Sequence, residues 1–310
     1  MNSIQMHETS IQAGELEIIY RFEVTPKTLG QITAIAGWRG FIHGLETFEH
    51  FDFGDLERNH EIEEAVASVC IEGASINVKE AQTLMENEEE LDMDALNKSQ
   101  KELVAYLEAM KMLDEFRDCR DRPILESDIR GLHKLITSGT LRPDDQGKYR
   151  LTDVIVGDKD PEGKIIERYK PPRAEELAVL MEGFVEWLNR CKDGPEKLHT
   201  AIAAGLAHFE LVRIHPFVDG NGRTTRLLTT LLLLQRGYDF KKMFCITEYY
   251  NRNRDRYYDA LQCVEVVDKT DGRLVLEASK WLKYFLGGLA YQIVAAQKRV
   301  QILVEKSRDT

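Results

Sequence analysis

Two stretches of this sequence are apolar almost all the way round a helix, and they constrain the fold more than any other feature. The first, HTAIAAGLAHFELVRIH, runs from His199 to His215, and the second, TRLLTTLLLLQRG, runs from Thr225 to Gly237. A helix without a polar face is stable in water when other elements surround it. Both stretches stop short of the roughly 18 apolar residues that span a bilayer. We therefore expect two central, buried helices in a mainly α protein.

Amphipathic helices are predicted on both sides of this pair, because apolar residues recur every three or four positions. Gly73 is suited to end one of them as an αL cap, and Asn77 with Glu80 forms a capping box at the start of another. The predicted ranges are 61–73, 77–90, 99–116, 126–139, 171–191, 247–264 and 275–306. The chain is thus expected to be mainly helical from about residue 45 onward.

Two stretches break the helical pattern and favour extended structure. Residues 154–169 place Val154, Ile155 and Val156 before the turn-rich GDKDPEG and two further isoleucines, which is typical of a β-hairpin. Residues 15–24, ELEIIYRFEV, fit either a short strand or an arm docked on the core. The prediction is a mainly α protein with one small β-hairpin and an N-terminal helical extension.

Charge and cysteine usage disfavour several functional classes. The 310 residues carry a formal net charge of −12, which disfavours binding along a nucleic-acid backbone and leaves room for a local basic pocket. The five cysteines form no CxxC pair, and their odd number is typical of reduced intracellular thiols. No secretory signal opens the sequence. We therefore expect a cytoplasmic protein without nucleic-acid or membrane partners.

The segment between the two apolar helices, HPFVDGNGRTTR from His215 to Arg226, concentrates reactive side chains. Its glycines precede a helix predicted to begin near Arg223, and a helix start offers free N–H groups and a partial positive charge to a phosphate. Arg223 and Arg226 lie three positions apart, so both guanidiniums extend from one helix face. Such a pair favours a polyphosphate ligand. Asp219 beside an anion indicates a bridging divalent cation, a role that suits Mg²⁺.

His215 ends the first apolar helix and is the candidate base of this loop. A neutral imidazole there can take the proton of an incoming hydroxyl while the loop and a cation stabilise charge on phosphorus. The residues favour phosphoryl or nucleotidyl transfer, although a glycine turn, a capping histidine and two surface arginines are each ordinary in isolation. GDKDPEGKI departs from the Walker A pattern, and the spacing of His199, His208 and His215 does not match a zinc motif. His208 is expected to be a core residue.

The segment HPFVDGNGRTTR resembles the signature of Fic-domain proteins, HPFx[DE]GNGRxxR, at every position. The resemblance extends over about half of the chain, from DIRGLHKLI through GKYR, VIVG and YKPP to RDRYYDAL, in the order usual for that family. It implies a Fic-type helical domain that transfers AMP from ATP to a side-chain hydroxyl of a target protein, with Mg²⁺ as cofactor. The target would offer a tyrosine, serine or threonine, and the chain itself is one candidate.

The resemblance also implies roles for individual residues. His215 would be the catalytic base, Asp219 the Mg²⁺ ligand, and Phe217 an anchor of the loop in the core. The hairpin would be a flap that aligns a target segment by strand pairing through Val154–Val156. The ATP-binding residues would be Gly220, Asn221, Gly222, Arg223, Arg226, Tyr257 and Tyr258.

An upstream segment, SVCIEG, resembles the inhibitory motif [ST]xxxE[GN] that some Fic proteins carry on a helix packed against the site. Ser68 and Glu72 lie four positions apart, so one helix face carries both, and Gly73 follows. The Glu72 carboxylate would pair with Arg226 in place of a γ-phosphate and restrain transfer. This implies an N-terminal region, residues 1–110, with the inhibitory helix at about 61–73, and a catalytic domain, residues 111–310, with its core at about 125–260.

Two functions stay open at this point. The first is a self-inhibited protein adenylyltransferase, for which removal of AMP is a second activity found in some relatives with this glutamate. The alternative is a nucleotide-sensing or protein-interaction module with negligible turnover, which an altered His215 or Asp219 would have favoured. Both residues are present. The target protein, the modified residue type and the formation of a homo-oligomer stay open as well.

Overall fold

The computed structural model describes residues 5–46, 54–87, 91–119, 121–159, 162, 165–193, 197–238 and 246–308. Helices make up most of this part of the chain, which confirms the predicted mainly α fold. In chain order they are α1 (Pro26–Glu46), α2 (Gly54–Ile71), α3 (Val78–Glu86), α4 (Lys98–Asp118), α5 (Glu126–Ile136), α6 (Leu177–Asp193), α7 (Thr200–Ile214), α8 (Asn221–Gln235), α9 (Ile246–Arg252), α10 (Arg254–Gln262) and α11 (Ser279–Arg308). The strands are β1 (Gln5–Ala13), β2 (Leu16–Val24), β3 (Val156–Lys159), β4 (Ile165–Tyr169), β5 (Glu265–Thr270) and β6 (Arg273–Glu277).

Helices α7 and α8 lie at the centre of the fold, as their apolar sequences predict. Most of their side chains are buried, including polar ones such as Glu210 and Thr229. Helix α8 packs against α7, α4 and α5, while α6 and α11 cover other sides of α7. Gly205 allows α11 to approach closely, since a Cβ there would lie 2.9 Å from side-chain atoms of Leu282 and Phe285. The loop between α7 and α8 is therefore attached to two tightly packed helices.

A four-stranded sheet joins the two ends of the chain. Its order is β1-β2-β6-β5, with β2 parallel to β6 and the other neighbours antiparallel. Strand β2 confirms extended structure in residues 15–24. The prediction of a single hairpin is wrong, because β1–β2 and β5–β6 form hairpins in addition to β3–β4. Hairpin β5–β6 turns at Asp271 and Gly272, where Gly272 has φ 75°, and Asp-Gly is a strong hairpin signal.

The inhibitory-motif helix ends earlier than the sequence predicts. The predicted 61–73 helix is the C-terminal part of α2, which stops at Ile71. Glu72 and Gly73 form a turn, and Gly73 has φ 96°, the left-handed conformation expected of a cap. Asn77 and Glu80 form the predicted capping box of α3. Residues 88–90 of that predicted helix, and residues 160, 161, 163 and 164 of the predicted flap turn, lie outside the described residues.

Three other helix boundaries were predicted wrongly. The 247–264 range is divided at Asn253, whose side chain accepts a hydrogen bond from the Arg256 N–H and so starts α10. Helix α6 begins at Leu177 after a short 3-10 turn, rather than at the two prolines. The 275–306 range loses its first residues to β6, and α11 starts at Ser279. In each case a cap, a turn or strand pairing decides where the helix begins.

None of the helices in the described ranges is both long and apolar enough to cross a membrane. The domain boundary predicted near residue 110 falls inside α4, and the four-stranded sheet contains strands from both sides of it. The division of the chain near residue 110 into an N-terminal region and a catalytic domain therefore stays a prediction.

Candidate active site

The loop between α7 and α8 has an unusual backbone at its first residue. His215 caps α7 in the left-handed region, with φ 51° and ψ 58°, and within the described ranges no other non-glycine residue has a positive φ. Such a conformation is costly and persists where surrounding contacts hold it, often at functional sites. Five residues later Gly220 turns the chain again with φ 78° and caps α8. The loop thus carries His215 at one end and a helix N-terminus at the other.

The geometry around His215 selects the neutral imidazole. Burial lowers its pKa to about 4, against smaller opposing effects from the Val212 carbonyl and the Glu72 carboxylate. Nδ1 of His215 lies 3.3 Å from the carbonyl oxygen of Val212, and because a carbonyl only accepts, Nδ1 must carry the proton. Nε2 is then the basic nitrogen. This is the tautomer that a general base for a hydroxyl requires.

The start of α8 is shaped by close contacts that depend on Gly222 and Asn221. A Cβ on Gly222 would lie 2.2 Å from Glu72 Oε1, so glycine is needed for that carboxylate to lie against the helix start. Asn221 is buried, and its amide accepts from the Phe217 N–H at 2.9 Å and donates to the Phe217 carbonyl at 2.8 Å. These two hydrogen bonds hold the loop backbone at Phe217. Contact of Asn221 with a phosphate stays a prediction.

Phe217 is buried and stacks on a histidine of α5, which anchors the loop in the core. Its ring centroid lies 3.7 Å from that of His133, at an interplanar angle of 6°. The Gly147 N–H donates to Nδ1 of His133 at 2.9 Å, so the proton is on Nε2, which donates to the Asp219 carbonyl at 2.9 Å. Burial lowers the pKa of His133 to about 4, so the ring is neutral near pH 7. His133 thus fixes the backbone of Asp219.

Arg223 is buried on the first turn of α8 and faces two carboxylates. Its Nη1 lies 3.4 Å from Glu102 Oε1, and its Nη2 lies 3.7 Å from Asp219 Oδ1. Glu102 is within ion-pair distance of Nη1, but among the described residues neither the buried Nε nor the buried Nη1 makes a hydrogen bond of good geometry. Buried donors without such a bond are costly. They therefore indicate a place where an anionic ligand would be stabilised.

Arg226, one turn further along α8, is held by the end of α2. Its Nε donates to Ser68 Oγ at 2.8 Å, and its Nη2 donates to the Ser68 carbonyl at 2.9 Å and to Glu72 Oε1 at 2.8 Å. The Arg226 side chain is 1% exposed, whereas that of Glu72 is 31% exposed. The structure therefore brings together the residues of the predicted inhibitory contact, with the carboxylate partly open to solvent.

The two tyrosines predicted near the adenine have different surroundings. Tyr257 is buried, and its hydroxyl lies 2.8 Å from Nε2 of His208. Thr229 donates its own proton to a backbone carbonyl of α8, so it accepts from Nδ1 of His208, and Nε2 accepts from Tyr257. His208 is thus the core residue that the sequence predicts. Tyr258 is partly exposed, and contact of either tyrosine with adenine stays a prediction.

The predicted flap forms, with shorter strands than expected. Val156 begins β3 and pairs with Tyr169 at the end of β4, whereas Val154 and Ile155 precede the strand. Ile155 is 50% exposed, so an apolar side chain is available beside the flap. The Tyr169 hydroxyl donates to the Arg213 carbonyl at 2.8 Å and attaches the flap to α7. The alignment of a target by this hairpin stays a prediction.

Asp219, the predicted Mg²⁺ ligand, has the exposure and charge that an ion ligand needs. Its side chain is 62% exposed. The Gly220 N–H donates to one carboxylate oxygen at 2.6 Å, which leaves the other oxygen for a cation. Within the described ranges, no group of three or more histidine, cysteine or acidic side chains is arranged to hold a metal. An ion at Asp219 would take its remaining ligands from bound phosphates and water.

Sequence reasoning missed three buried residues of the site: His133, Arg150 and Glu102. His133 and Arg150 lie within DIRGLHKLI and GKYR, two of the segments that carry the family resemblance, and Glu102 lies on α4. No spacing rule connects these positions with the loop, because their contacts depend on how the helices pack. The family order of the segments is the signal that could have pointed to His133 and Arg150.

The chain is similar to known proteins over the part that contains this site. Residues 123–233 match the model of the Fic/DOC family. A curated relative from Drosophila grimshawi, Protein adenylyltransferase Fic, is 34% identical over 171 residues, which are 55% of this chain and 32% of the relative. A relative of the same name from Culex quinquefasciatus is 31% identical over 206 residues, which are 66% of this chain and 37% of the relative. The chain thus spans about a third of the length of these relatives.

A solved structure with a similar fold is a Fic domain containing signaling protein from Bacteroides thetaiotaomicron. The match has a TM-score of 0.66 at 22% sequence identity and covers 86% of this chain and 95% of that chain. At this identity the match shows the fold alone. The similarity of fold therefore extends beyond residues 123–233.

Proposed function

Because residues 123–233 of this chain form a Fic/DOC-family domain, we propose that the protein is a protein adenylyltransferase. It transfers AMP from ATP to a side-chain hydroxyl of a target protein. One observation carries the proposal: a neutral His215 lies at one end of a loop whose other end is a helix N-terminus with two buried arginines. The activity named for the relatives supports it. A binding module without turnover is disfavoured, because it would not need a base in this tautomer.

The residues of the site divide the proposed reaction between them. The target hydroxyl oxygen attacks the α-phosphorus of ATP, a new P–O bond forms, and the bond to pyrophosphate breaks. His215 Nε2 takes the hydroxyl proton, since Nδ1 already carries one. Arg223 and the first N–H groups of α8 bind phosphate oxygens, and the buried donors of Arg223 that make no hydrogen bond of good geometry support this role. Positioning and electrostatic stabilisation then supply most of the rate.

Mg²⁺ is the cofactor that we propose, with Asp219 as its protein ligand. The ion supplies positive charge to the phosphates when bound. Two contacts orient Asp219 independently of any ligand: His133 holds its carbonyl, and the Gly220 N–H holds one carboxylate oxygen. The cytoplasm stays the predicted compartment, on the cysteine usage of the sequence.

The chain restrains its own activity through Glu72 in this proposal. Glu72 engages Arg226, and its Oε1 lies against Gly222, where a γ-phosphate would approach the helix start. A carboxylate there repels phosphate oxygens and also occupies the guanidinium that would bind them. ATP that binds without this arginine has its α-phosphorus misplaced, and small misplacements cost large factors in rate. Release of Glu72 is therefore the activating step. Removal of AMP from a target and assembly into a homo-oligomer stay open.

The test uses full-length wild type, Glu72→Gly, and Glu72→Gly combined with His215→Ala. Each protein is incubated with a cell lysate and with ATP labelled on the α-phosphate or, separately, on the γ-phosphate. Relative to lysate without added protein, we expect Glu72→Gly to raise protein labelling from the α position and not from the γ position. Replacing His215 in addition should lower the rate by ~10²–10⁴-fold and leave ATP affinity, measured by calorimetry, nearly unchanged.

Three outcomes would contradict the proposal in different ways. A rise in γ labelling above that of lysate without added protein would indicate phosphoryl transfer instead. Full transfer without His215 would remove it from the role of base. ATP binding by Glu72→Gly without transfer from either label would favour a nucleotide-binding module. In a separate arm, equal ATP affinity of wild type and Arg223→Ala would exclude Arg223 from the phosphate site.

A further inference from the structure

Arg150 connects the catalytic loop with both ends of the flap. Its side chain is fully buried, and its three guanidinium nitrogens each donate to a backbone carbonyl of a different segment. Nε donates to His215 at 3.0 Å, Nη1 to Thr152 at 2.9 Å, and Nη2 to Pro172 at 2.5 Å. The Arg150 N–H also donates to the Pro216 carbonyl at 2.9 Å. One residue therefore fixes three segments relative to one another.

The contact with His215 acts on the strained residue of the loop. The carbonyl that Arg150 binds moves with the ψ angle of His215, which is 58° in the left-handed region. A buried donor fixed at 3.0 Å opposes the rotation that would relieve this conformation. The second contact, from the Arg150 N–H to Pro216, holds the next peptide. The direction in which the His215 imidazole points thus depends on Arg150.

The other two contacts close the base of the flap. Thr152 lies before β3, and Pro172 lies after β4, so the guanidinium holds the chain where it enters and where it leaves the hairpin. A hairpin of two short strands is marginally stable by itself and takes its orientation from such attachments. The Asp153 carboxylate lies 3.9 Å from Nη1 of the guanidinium.

We propose that Arg150 is a positioning residue for transfer: it holds the flap and His215 in one fixed relation. The inference rests on the proposed function, in which the flap aligns the target and His215 takes its proton. Because one guanidinium binds the flap and the His215 carbonyl, a target hydroxyl aligned by the flap reaches Nε2 of His215 in a single geometry. Without that attachment, the base and the target segment move independently. Arg150 itself touches neither ATP nor the reacting atoms in this scheme.

A lysine cannot reproduce this role, which makes Arg150→Lys an informative variant. A guanidinium offers five N–H donors in a planar fork and reaches carbonyls in three directions at fixed angles. An ammonium keeps the charge and much of the stem, but it is a compact point charge on a flexible chain. The substitution therefore preserves burial and charge and removes the geometry.

The matched control is Asn189→Ala, which removes partly buried side-chain-to-backbone contacts elsewhere in the fold. The Asn189 side chain accepts from the Ile124 N–H at 2.9 Å and donates to the Ile124 carbonyl at 2.8 Å, so it too holds backbone with a side chain. Both substitutions are made in full-length Glu72→Gly protein. The measurements are the thermal midpoint, ATP affinity by calorimetry, the rate of α-label transfer to lysate proteins over a range of lysate concentrations, and hydrogen exchange of peptides covering residues 152–172 and 215–220.

We expect the two variants to lose similar thermal stability and to differ in the rate of transfer and in the hydrogen exchange of the flap and loop peptides. Arg150→Lys should lower the maximal rate of label transfer by ~10–100-fold and raise the lysate concentration that gives half of that rate, with ATP affinity unchanged. Its hydrogen exchange should become faster in the flap peptide and in the loop peptide together. Asn189→Ala should transfer AMP at the rate of the parent and exchange like the parent in both peptides.

Two results would overturn the inference. If Arg150→Lys loses thermal stability and transfers AMP as fast as Asn189→Ala does, Arg150 is a structural residue. If exchange rises in the flap peptide and stays unchanged in the loop peptide, the two are not coupled through Arg150. Hydrogen exchange can be measured on a protein that has no transfer activity. Should the Glu72→Gly parent transfer no AMP, the proposed function fails, and the exchange result decides the coupling alone.

Discussion

Two of the arginine–glutamate pairs that involve the central helices are built differently. On α7, Nε and Nη2 of Arg213 donate to the two carboxylate oxygens of Glu210, three positions away, at 2.6 Å and 2.8 Å. On α8, Arg226 is joined to Glu72, 154 residues away, by one contact of 2.8 Å. The Glu210 side chain is 0% exposed, whereas that of Glu72 is 31% exposed. The Glu210–Arg213 pair joins residues close in sequence through two buried contacts. The Glu72–Arg226 pair joins residues far apart in sequence through one contact that is partly open to solvent.

In the proposed function, this difference separates a pair that stabilises the fold from a pair that the γ-phosphate of ATP would replace. Glu210 also accepts from the Tyr20 hydroxyl at 2.5 Å, so it joins the sheet to α7, and its loss would leave buried donors without an acceptor. Glu72 lies in a turn beyond α2, and on release it would become hydrated while a phosphate took its place on Arg226. Exposure at one end is what makes the second pair exchangeable.

The largest effect is expected for Glu210→Gln, measured as the free energy of unfolding in urea. Breaking a buried ion pair by removing one partner costs about 3–5 kcal/mol, because the remaining charge stays buried. The matched control is Glu108→Gln, which breaks an exposed pair with Lys111, also three positions away and at 2.8 Å. That control should lose less than about 1 kcal/mol. Equal losses in the two variants would contradict the structural role of the α7 pair.

The next largest effect is expected for Glu72→Gly and appears in activity. Transfer should rise by about 100-fold, since ATP then binds with its α-phosphorus aligned. The free energy of unfolding should fall by less than in Glu210→Gln, because Arg226 keeps its two hydrogen bonds to Ser68 when the carboxylate is removed. Adding Arg226→Ala should reduce the gain by about tenfold, because the γ-phosphate loses a charged donor. Label incorporation and urea denaturation on the same samples check this. A destabilised Glu72→Gly protein with unchanged transfer would contradict self-inhibition.

The comparison also shows which contacts could be predicted from the sequence. Asp219, Arg223 and Arg226 follow His215 within one loop and one helical turn, so their grouping is local. Ser68 and Glu72 are four positions apart, which places both near one guanidinium once the family motif is recognised. The grouping within each motif depends on helix geometry over a few residues, whereas the contact between Glu72 and Arg226, 154 residues apart, was implied by the family resemblance.

The contacts that the sequence did not predict join distant elements. Arg150 meets His215 across 65 residues and His133 meets the Asp219 carbonyl across 86, so neither pair leaves a periodic trace. The hairpin β5–β6 was missed for a different reason. Val275 and Leu276 are buried and continue the apolar spacing of α11, so they were assigned to that helix. Pairing of β6 with β2, from the other end of the chain, decides the outcome.

Acid should destabilise the region around both pairs through its histidines. Burial lowers the pKa of His208 to about 3 and that of His215 to about 4, below the value near 6.5 in an unfolded chain. Between pH 6.5 and 4 the unfolded state binds protons that the folded state does not. The stability is therefore full above pH 6.5 and falls with acidification, by up to about 1.4 kcal/mol per pH unit for each histidine.

Urea denaturation from pH 7 to pH 4.5 checks this prediction, with His208→Gln as the comparison. The amide can still accept from Tyr257 and donate to Thr229, and it does not titrate. Its slope against pH should be shallower than that of wild type by about one histidine's contribution. If the unfolding free energies of wild type and His208→Gln have the same slope against pH, burial does not hold His208 neutral. The same comparison in Glu210→Gln should give the wild-type slope, because the histidine remains.

The smallest expected effect is that of salt, which should weaken one pair and leave the other unchanged. Raising NaCl from 0.1 M to 1 M shortens the screening length from about 10 Å to about 3 Å, and this acts on charges that water reaches. Glu72 is 31% exposed and Glu210 is 0% exposed. The ratio of transfer by Glu72→Gly to transfer by wild type should therefore fall about 3-fold at saturating ATP, since an accessible pair is worth up to about 1 kcal/mol. Taking the ratio removes the effect of salt on ATP binding, which both proteins share. The stability difference between wild type and Glu210→Gln should stay constant over the same range. If the activity ratio stays constant, solvent ions do not reach the Glu72 carboxylate. Exposure would then not explain why one pair is exchangeable and the other structural, and the remaining difference would be the sequence distance between the paired residues.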